Sequence, residues 1–377
     1  MNCSARGIES PPGESLNNPF IFSGGDVRLK VITSGQPIVG SVSSQAMASA
    51  CKVWKNFVFP PWAESLLDRT SGTPIKVVQI YGTMNNLPDT ALSLSSLRMT
   101  KGSSDEVPSK LPVEELDFTG DNSEALLILL RIAHRDFEKV PPNLSYTELL
   151  NLAVLCDQYD CVKMTKPWIE DWLKGEATLS LWPGHENWLF IAWVFGRATV
   201  FEDLAIHLIR TIRIDGEGYC RNTQDKPLAE PIPAGIIEPI CSIRKEIIRQ
   251  LLDPAYQDLD HYEYRQRPVC PYRRSRSDQL ACDAKIHDSL RQSLNRVGLF
   301  PRKSSSKILY NVNELCGRLR SITIERHDQT HMCGPPYKYS AHVRNTLIRI
   351  PGPVKRFHVE HMGGQRASLL SETCIKG

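Results

Sequence analysis

The stretch Asn122–Lys174, NSEALLILLRIAHRDFEKVPPNLSYTELLNLAVLCDQYDCVKMTKPWIEDWLK, predicts three successive helices, each with one apolar face. Ser123 is suited to cap the first helix, because its hydroxyl can accept an orphan backbone N–H. The Pro141-Pro142 pair ends that helix, since proline lacks the N–H that a helix interior needs. Ser145 or Thr147 can cap the second helix. None of these residues suggests catalysis, so the stretch indicates the core of an interaction domain.

The composition is that of an ordinary globular chain. The 377 residues are enough for two or three domains, and 41% of them are hydrophobic and 23% charged. The net charge of +3 gives no argument for nucleic acid or an anionic membrane as a general partner. No run reaches the roughly 18 apolar residues of a membrane span, so no membrane association is expected.

Cysteine usage bears on the compartment. The eleven cysteines are odd in number and widely scattered, and the polar first residues lack the apolar centre of a secretory signal. We therefore expect free thiols in a reducing compartment rather than a disulfide framework. The predicted location is intracellular, in the nucleus, the cytoplasm or both.

The order of patterns predicts an α+β chain with several regions. Proline, glycine, serine and asparagine dominate the first residues, which predicts disorder. A strand at Asp26–Val31 turns at Ser34-Gly35 into a hairpin, and a helix follows with Met47, Cys51, Trp54 and Val58 on one stripe. The predicted regions are a disordered 1–19, a domain at 20–174 with a polar insertion at 68–110, a helical extension at 175–262 and a loop-rich α+β region at 263–377.

Particular elements are expected in the later regions. Glu115–Phe118 is predicted as a short strand that feeds the first helix of the opening stretch. Trp188–Phe195 is apolar all round, as in a buried helix. Ser321–Ile324 is a candidate strand, and the tail from Ile350 is expected to be loose.

Short motifs between residues 20 and 174 carry a family likeness. They are Gly25-Asp26-Val27, Val42-Ser43-Ser44, Asp121–Ala133, Leu152–Cys161, Pro167-Trp168-Ile169 and Trp172-Leu173. In this order they resemble the BTB/POZ domain, a small sheet with a cluster of helices, in the divergent form found in filamentous fungi. The likeness departs at the polar 68–110 insertion, where this chain is longer. The helical extension is similar to that found behind the same fungal domains.

The resemblance implies a protein-interaction module rather than an enzyme. BTB domains homodimerise through the first-helix region and the N-terminal strand, and they recruit partners such as cullin-type ubiquitin ligase scaffolds or transcriptional corepressors. The residues expected in the dimer region are Asp26, Met47, Ala50, Val53, Trp54 and Phe57. Asp26 matches the aspartate that opens the family's first strand, either as a structural residue or as part of a charged pocket. No nucleophile elbow, P-loop or dinucleotide-binding glycine motif is present, which also argues against an enzyme.

A metal site is the sharpest chemical candidate in the last region. Its candidate ligands are Cys270, Cys282, His331 and Cys333, which would supply the four thiolate or imidazole groups of a structural zinc site. The eleven residues between Cys270 and Cys282 exceed the usual spacing of two to four. The alternative is a set of isolated buried thiols and a surface histidine.

A cluster of arginines between Arg265 and Arg276 favours a second class of function. With Tyr264 and Tyr272 interleaved it could contact phosphate, which would make the chain a transcription or chromatin regulator. Such runs are more often solvated linkers, and the balanced overall charge argues against nucleic acid as the partner.

Overall fold

A computed structural model describes residues 18–61, 111–272, 275–327, 333–334 and 339–371. The chain divides into two compact units, one up to Leu173 and one from Lys174. The first 17 residues, the polar insertion and His331 lie outside the described residues, so the expectations about them stay predictions. The described part is mixed α+β with a small N-terminal sheet, which confirms the predicted class.

The N-terminal unit begins with a hairpin and ends in helices. Its strands are β1 (Val27–Thr33), β2 (Gln36–Val42) and β3 (Glu115–Asp117), and its helices are α1 (Ser44–Ala50), α2 (Lys52–Val58), α3 (Ser123–Ala133), α4 (Tyr146–Gln158) and α5 (Ile169–Trp172). The sheet order is β2-β1-β3, with β2 antiparallel and β3 parallel to β1. Ser34 and Gly35 both have positive φ, which a two-residue hairpin turn requires. The sheet and hairpin thus form where the alternation placed them.

The predicted first helix is two helices, which corrects the single stripe read from the sequence. Cys51 has an extended backbone, with φ −154° and ψ 159°, and so interrupts the helix. Its Sγ accepts a hydrogen bond from Trp54 N at 3.4 Å and thereby caps α2. Beyond this break, α2 buries Trp54 and Val58, as the predicted stripe requires.

The core of this unit lies between the inner sheet face and the helices. Its large buried side chains are Phe20, Leu29, Val31, Met47, Trp54, Leu116, Phe118, Leu126, Leu129, Leu152 and Tyr159. The Tyr159 ring meets the rings of Trp54, Phe57 and Phe118 at centroid distances of 5.8, 6.1 and 5.9 Å. Its hydroxyl donates to the Asp121 carboxylate, so the buried phenol is satisfied. The residues of the opening stretch therefore pack as a core, as the periodicity predicted.

His134 joins α3 to the start of α1 and should make this unit sensitive to acid. Ser43 N donates to Nε2 at 2.9 Å, so the neutral ring carries its proton on Nδ1, which contacts the Leu130 carbonyl at 2.8 Å. Burial lowers the pKa of His134, against the raising effect of the Leu130 hydrogen bond. The unfolded chain then binds the proton more readily, so the free energy of unfolding should fall as pH drops below about 6.5.

His134 is the one histidine before Lys174, which makes this test clean. A proton NMR titration of its ring should give a pKa below the ordinary value, and His134→Leu should flatten the pH dependence of unfolding of this unit. A ring that titrates at or above about 6.5 would contradict the buried neutral assignment.

The second unit is mostly helical. Its helices are α6 (Glu176–Leu179), α7 (Trp188–Val194), α8 (Ala198–Thr211), α9 (Ile237–Glu263), α10 (Arg276–Arg296), α11 (Val312–Arg320), α12 (Tyr339–Ile348) and α13 (Arg356–Leu370), with a two-stranded hairpin of β4 (Arg213–Ile214) and β5 (Cys220–Arg221). The predicted buried helix at Trp188–Phe195 is confirmed by α7. No helix in the described ranges of either unit is long and apolar enough to cross a membrane.

One core joins regions that the sequence separated at residue 262. It contains Ile247, Ile248, Leu251, Leu252 and Leu259 of α9 together with Leu290, Leu294, Val312, Leu315, Cys316, Leu319 and Val343 from beyond it. The predicted boundary falls at the end of α9, and both sides of it belong to a single compact unit.

Two local expectations for this unit are wrong. Ser321–Ile324 is not a strand, because its backbone bonds to side chains of α10: Thr323 N donates to Ser293 Oγ at 3.0 Å. Between Ile350 and Ser371 the tail is not loose, because α13 occupies most of this stretch. Met362 is buried there, and Gly196 allows the close approach, since a Cβ at that position would lie 2.6 Å from the Met362 carbonyl oxygen.

Candidate metal centre and an exposed sheet face

Three of the four predicted metal ligands meet in the second unit. The Sγ atoms of Cys270, Cys282 and Cys333 all lie within 4.8 Å of one another, and Cys333 Sγ is 3.2 Å from Cys270 Sγ. Their residues are 3%, 0% and 5% exposed. Such a buried cluster of thiols can hold a metal ion. The fourth predicted ligand, His331, lies outside the described residues.

The first turns of α10 fix Cys270 beside Cys282. Ser275 caps this helix in a reciprocal capping box with Asp278. About two turns into the helix, the Asp283 carboxylate accepts hydrogen bonds from Val269 N at 2.6 Å and Cys270 N at 3.0 Å. Asp283, the residue after Cys282 in α10, therefore holds the coil that contains Cys270.

Gln279 adds a second clamp on the same coil. Its Nε2 donates to the carbonyls of Cys270 at 3.1 Å and Tyr272 at 2.8 Å. Gln279, Cys282 and Asp283 are three and four positions apart, which places them on one face of the helix. The spacing of the cysteines in the sequence does not indicate that Cys270 lies beside Cys282. The sequence feature that could have indicated it is Gln279 and Asp283, which stand at helical spacing around Cys282.

A coil before Cys333 in the chain runs along α10. Ser289 Oγ accepts from Glu325 N at 2.7 Å, and Ser293 Oγ accepts from Thr323 N. Ile324 and Tyr262 pack against the small cluster formed by the three cysteines and Ile286. Few apolar side chains surround this site, so the thiols form much of its interior.

Burial favours the protonated thiols of Cys282 and Cys333. Burial raises the pKa of Cys282 and raises that of Cys333 to about 12, with further raising contributions from hydrogen bonds and neighbouring thiols at Cys333. Burial and nearby acidic groups likewise raise the pKa of Tyr262 to about 12. The cluster is thus a poor nucleophile by itself, because the thiolate is the reactive form.

The N-terminal unit presents an apolar surface on the outer side of its sheet, here called the exposed sheet face. Ile21, Ile32 and Val39 are 64%, 41% and 52% exposed. The register places them together: Val39 lies opposite Lys30, Ile32 lies opposite Pro37, and Ile21 bridges to Ser41. Exposed aliphatic side chains on adjacent strand positions are characteristic of a contact surface.

Three charged residues lie beside this face, and the carboxylate of Glu115 pairs with both basic ones. The Glu115 carboxylate is 2.8 Å from Lys30 Nζ and 3.7 Å from Arg28 Nε. The register places these three side chains on the same outer side as Ile32 and Val39. The free-energy cost of removing water from such a face is lower when its charges are paired than when they are unpaired.

The residues predicted for a dimer region divide into two groups. Met47 and Trp54 are 0% exposed, so both belong to the core of the unit. Ala50, Val53 and Phe57 are partly buried and retain accessible surface. The sequence could not make this division, because all five positions satisfy the same helical stripe.

Asp26 has a structural role at the entry to α1. Its carboxylate accepts hydrogen bonds from Ser44 N and Ser44 Oγ, both at 2.6 Å. Partial burial raises the pKa of Asp26, but the Ser44 bonds outweigh it and the net pKa is lowered. The charge stabilises the helix N-terminus, where backbone N–H groups are unpaired.

No family model, curated protein or solved structure matches this chain.

Proposed function

We propose that this protein is a non-enzymatic interaction scaffold that forms a homodimer and recruits protein partners through a BTB/POZ-like N-terminal unit. The observation that carries the proposal is the exposed sheet face, with Ile21, Ile32 and Val39 open to solvent. Its supports include the order of hairpin, helices, parallel third strand and helical body, which agrees with the sequence resemblance.

A second copy of the chain is the proposed occupant of this face. A two-fold interface places the same patch on both subunits, so the patch must complement itself. Here Ile21, Ile32 and Val39 lie beside Arg28 and Lys30, whose charges pair with Glu115 in the same subunit, so the patch can meet its own copy without burying an unpaired carboxylate. Full burial of one such aliphatic side chain contributes about 1.5–3 kcal/mol.

The triple variant Ile21→Thr, Ile32→Thr, Val39→Thr should weaken self-association. Threonine keeps the β-branched shape that suits a strand, so the sheet should form while the apolar contact is lost. We expect the dimer dissociation constant, measured by sedimentation velocity, to rise by roughly a hundredfold, equivalent to about 3 kcal/mol.

The helix region predicted from the sequence provides the matched comparison. The double variant Val53→Thr, Phe57→Thr alters the partly buried helix surface and leaves the exposed sheet face intact. A loss of dimer in this variant alone would move the interface to the helix. A wild-type chain that stays monomeric at high concentration would refute the homodimer.

Partner recruitment has its own test. Affinity purification of the full chain followed by mass spectrometry should recover protein partners. A cullin-type ligase scaffold would support a substrate adaptor, and a transcriptional corepressor would support a regulator. If the purified wild-type chain retains nucleic acid and no protein partner, the alternative is favoured, in which the arginines between Arg265 and Arg276 contact nucleic acid in a transcription or chromatin regulator.

We also propose that the cysteine cluster holds one structural zinc ion. Tetrahedral zinc with bonds of about 2.3 Å separates its sulfur atoms by about 3.8 Å, close to the spacing of Cys270, Cys282 and Cys333. A divalent cation would stabilise the thiolates that burial otherwise disfavours. Cys270 and Cys333 lie in coils with little apolar packing, where a metal stabilises most. His331 stays the predicted fourth ligand.

A further inference from the structure

A second pair of cysteines in the Lys174–Gly377 unit differs from the metal candidate in its exposure and charge. Cys220 lies in β5 and Cys241 lies in the second turn of α9. Their Sγ atoms are 3.1 Å apart, and both residues are partly exposed. Neither thiol belongs to the cluster formed by Cys270, Cys282 and Cys333.

Arg244 supplies a fixed positive charge near the pair. It is one helical turn beyond Cys241, and its buried guanidinium donates to the carbonyls of Ile212, Ile308 and Tyr310 at 3.3, 3.1 and 2.8 Å. The hydrogen bond from Cys241 and the Arg244 charge together lower the pKa of Cys220 to about 7, against the opposing effect of burial. The same hydrogen bond raises the pKa of Cys241, as does burial.

The geometry points to Cys220 and Cys241 as an oxidation site that hydroperoxides convert to a disulfide. The Cys220 thiolate sulfur attacks one peroxide oxygen, the O–O bond breaks, and the leaving hydroxide takes a proton to become water. The Cys241 sulfur then attacks the sulfenic sulfur of Cys220, an S–S bond forms, the S–O bond breaks, and the hydroxyl leaves with the Cys241 proton as a second water. Two thiols lose two electrons and two protons, and hydrogen peroxide gains them.

The structure favours this pair over the other close thiols. The sulfur atoms need to approach by about 1 Å to reach bonding distance. Burial raises the pKa values of Cys282 and Cys333, which disfavours their reactive thiolates, whereas the pKa of Cys220 is lowered and this residue is partly exposed. The new bond would tie the β4–β5 hairpin to α9, which the described hydrogen bonds join through Arg244.

Peptide mapping of the full chain after treatment with hydrogen peroxide tests the site. We expect a linked Cys220–Cys241 peptide, and in Cys241→Ser a sulfenic acid at Cys220 that dimedone traps. Cys316→Ser, which removes a buried thiol of the main core, should leave the linkage unchanged. Oxidation confined to Cys270 and Cys333, or no linkage at all, would overturn the proposal.

The pH profile of alkylation by iodoacetamide gives an independent measurement. The rate at Cys220 should have its midpoint near pH 7, compared with about 8.5 for an ordinary thiol. At pH 7 the larger thiolate fraction outweighs the lower nucleophilicity, so Cys220 should react roughly threefold faster than an ordinary exposed cysteine. Cys241→Ala should move the midpoint upward. A wild-type midpoint at the ordinary value would remove Cys220 as the attacking thiol.

Discussion

Replacement of Cys282 by serine is expected to reduce bound zinc from one ion per chain to near zero. Cys282 is fully buried, and a serine hydroxyl is a poor ligand for zinc compared with a thiolate. Structural zinc contributes on the order of 10 kcal/mol in isolated zinc-finger peptides. Here the main core of the unit is separate from the cluster, so the loss should be local unfolding rather than collapse of the whole unit.

Metal analysis and hydrogen exchange give the two readouts. Backbone amides in 266–272 should lose protection in Cys282→Ser and in wild type treated with a chelator, because this coil is held mainly through Gln279 and Asp283 beside Cys282. Zinc should also leave as the pH falls, since protons compete for thiols whose pKa burial raises.

Cys316→Ser is the matched control for the zinc experiment. Cys316 is an equally buried thiol in the same unit, but it packs with leucines of the main core. This variant should lose some stability and keep its zinc. A wild-type chain purified without metal, and unable to bind added zinc, would refute the centre while leaving the interaction scaffold untouched.

Replacement of Trp54 by alanine should destabilise the N-terminal unit by about 3–5 kcal/mol. The side chain is fully buried and its ring lies 5.8 Å from that of Tyr159. Its indole N–H has no hydrogen-bond partner among the described residues, so the loss is mainly one of packing. Urea denaturation followed by far-ultraviolet circular dichroism measures it.

Two neighbouring changes sharpen this result. Trp54→Phe keeps most of the apolar volume and should cost less than Trp54→Ala, because no hydrogen bond is lost. Val53→Ala, at a partly exposed position, should change the free energy of unfolding by less than about 1.5 kcal/mol. A Trp54→Ala chain with wild-type stability but no dimer would place Trp54 at an interface instead.

Local patterns predicted most of the helices. The second helix of the opening stretch begins at Ser145, where the capping box with Glu148 forms, and it buries Leu149, Leu152 and Cys156. The first helix begins at Ser123, and its cap is the side chain of Asn122 rather than that of Ser123, so the predicted cap is wrong by one residue. Capping and periodicity act within a few residues, so they are visible in the sequence.

Elements fixed by distant contacts were missed. The α13 helix has few apolar residues of its own, and it is held through His358, whose Nε2 lies 3.1 Å from the Ala234 carbonyl oxygen. The coil at Ser321–Ile324 has an apolar pattern that suits a strand, but the N–H groups of Thr323 and the adjacent Glu325 donate to serine side chains of α10. Neither partner is close in sequence, so no local pattern could reveal it.

The sequence alone determined the α+β class, the hairpin and the inward stripes of the helices, because these depend on residues within one or two turns of each other. Tertiary structure alone decided that Cys270 and Cys333, 63 residues apart, bring their thiols together beside Cys282. It also decided that Met47 and Trp54 are core while Ile32 and Val39 are surface. Whether a side chain is buried, and which others it contacts, depends on which helices and strands pack together. The apolar character of a single side chain does not determine that packing.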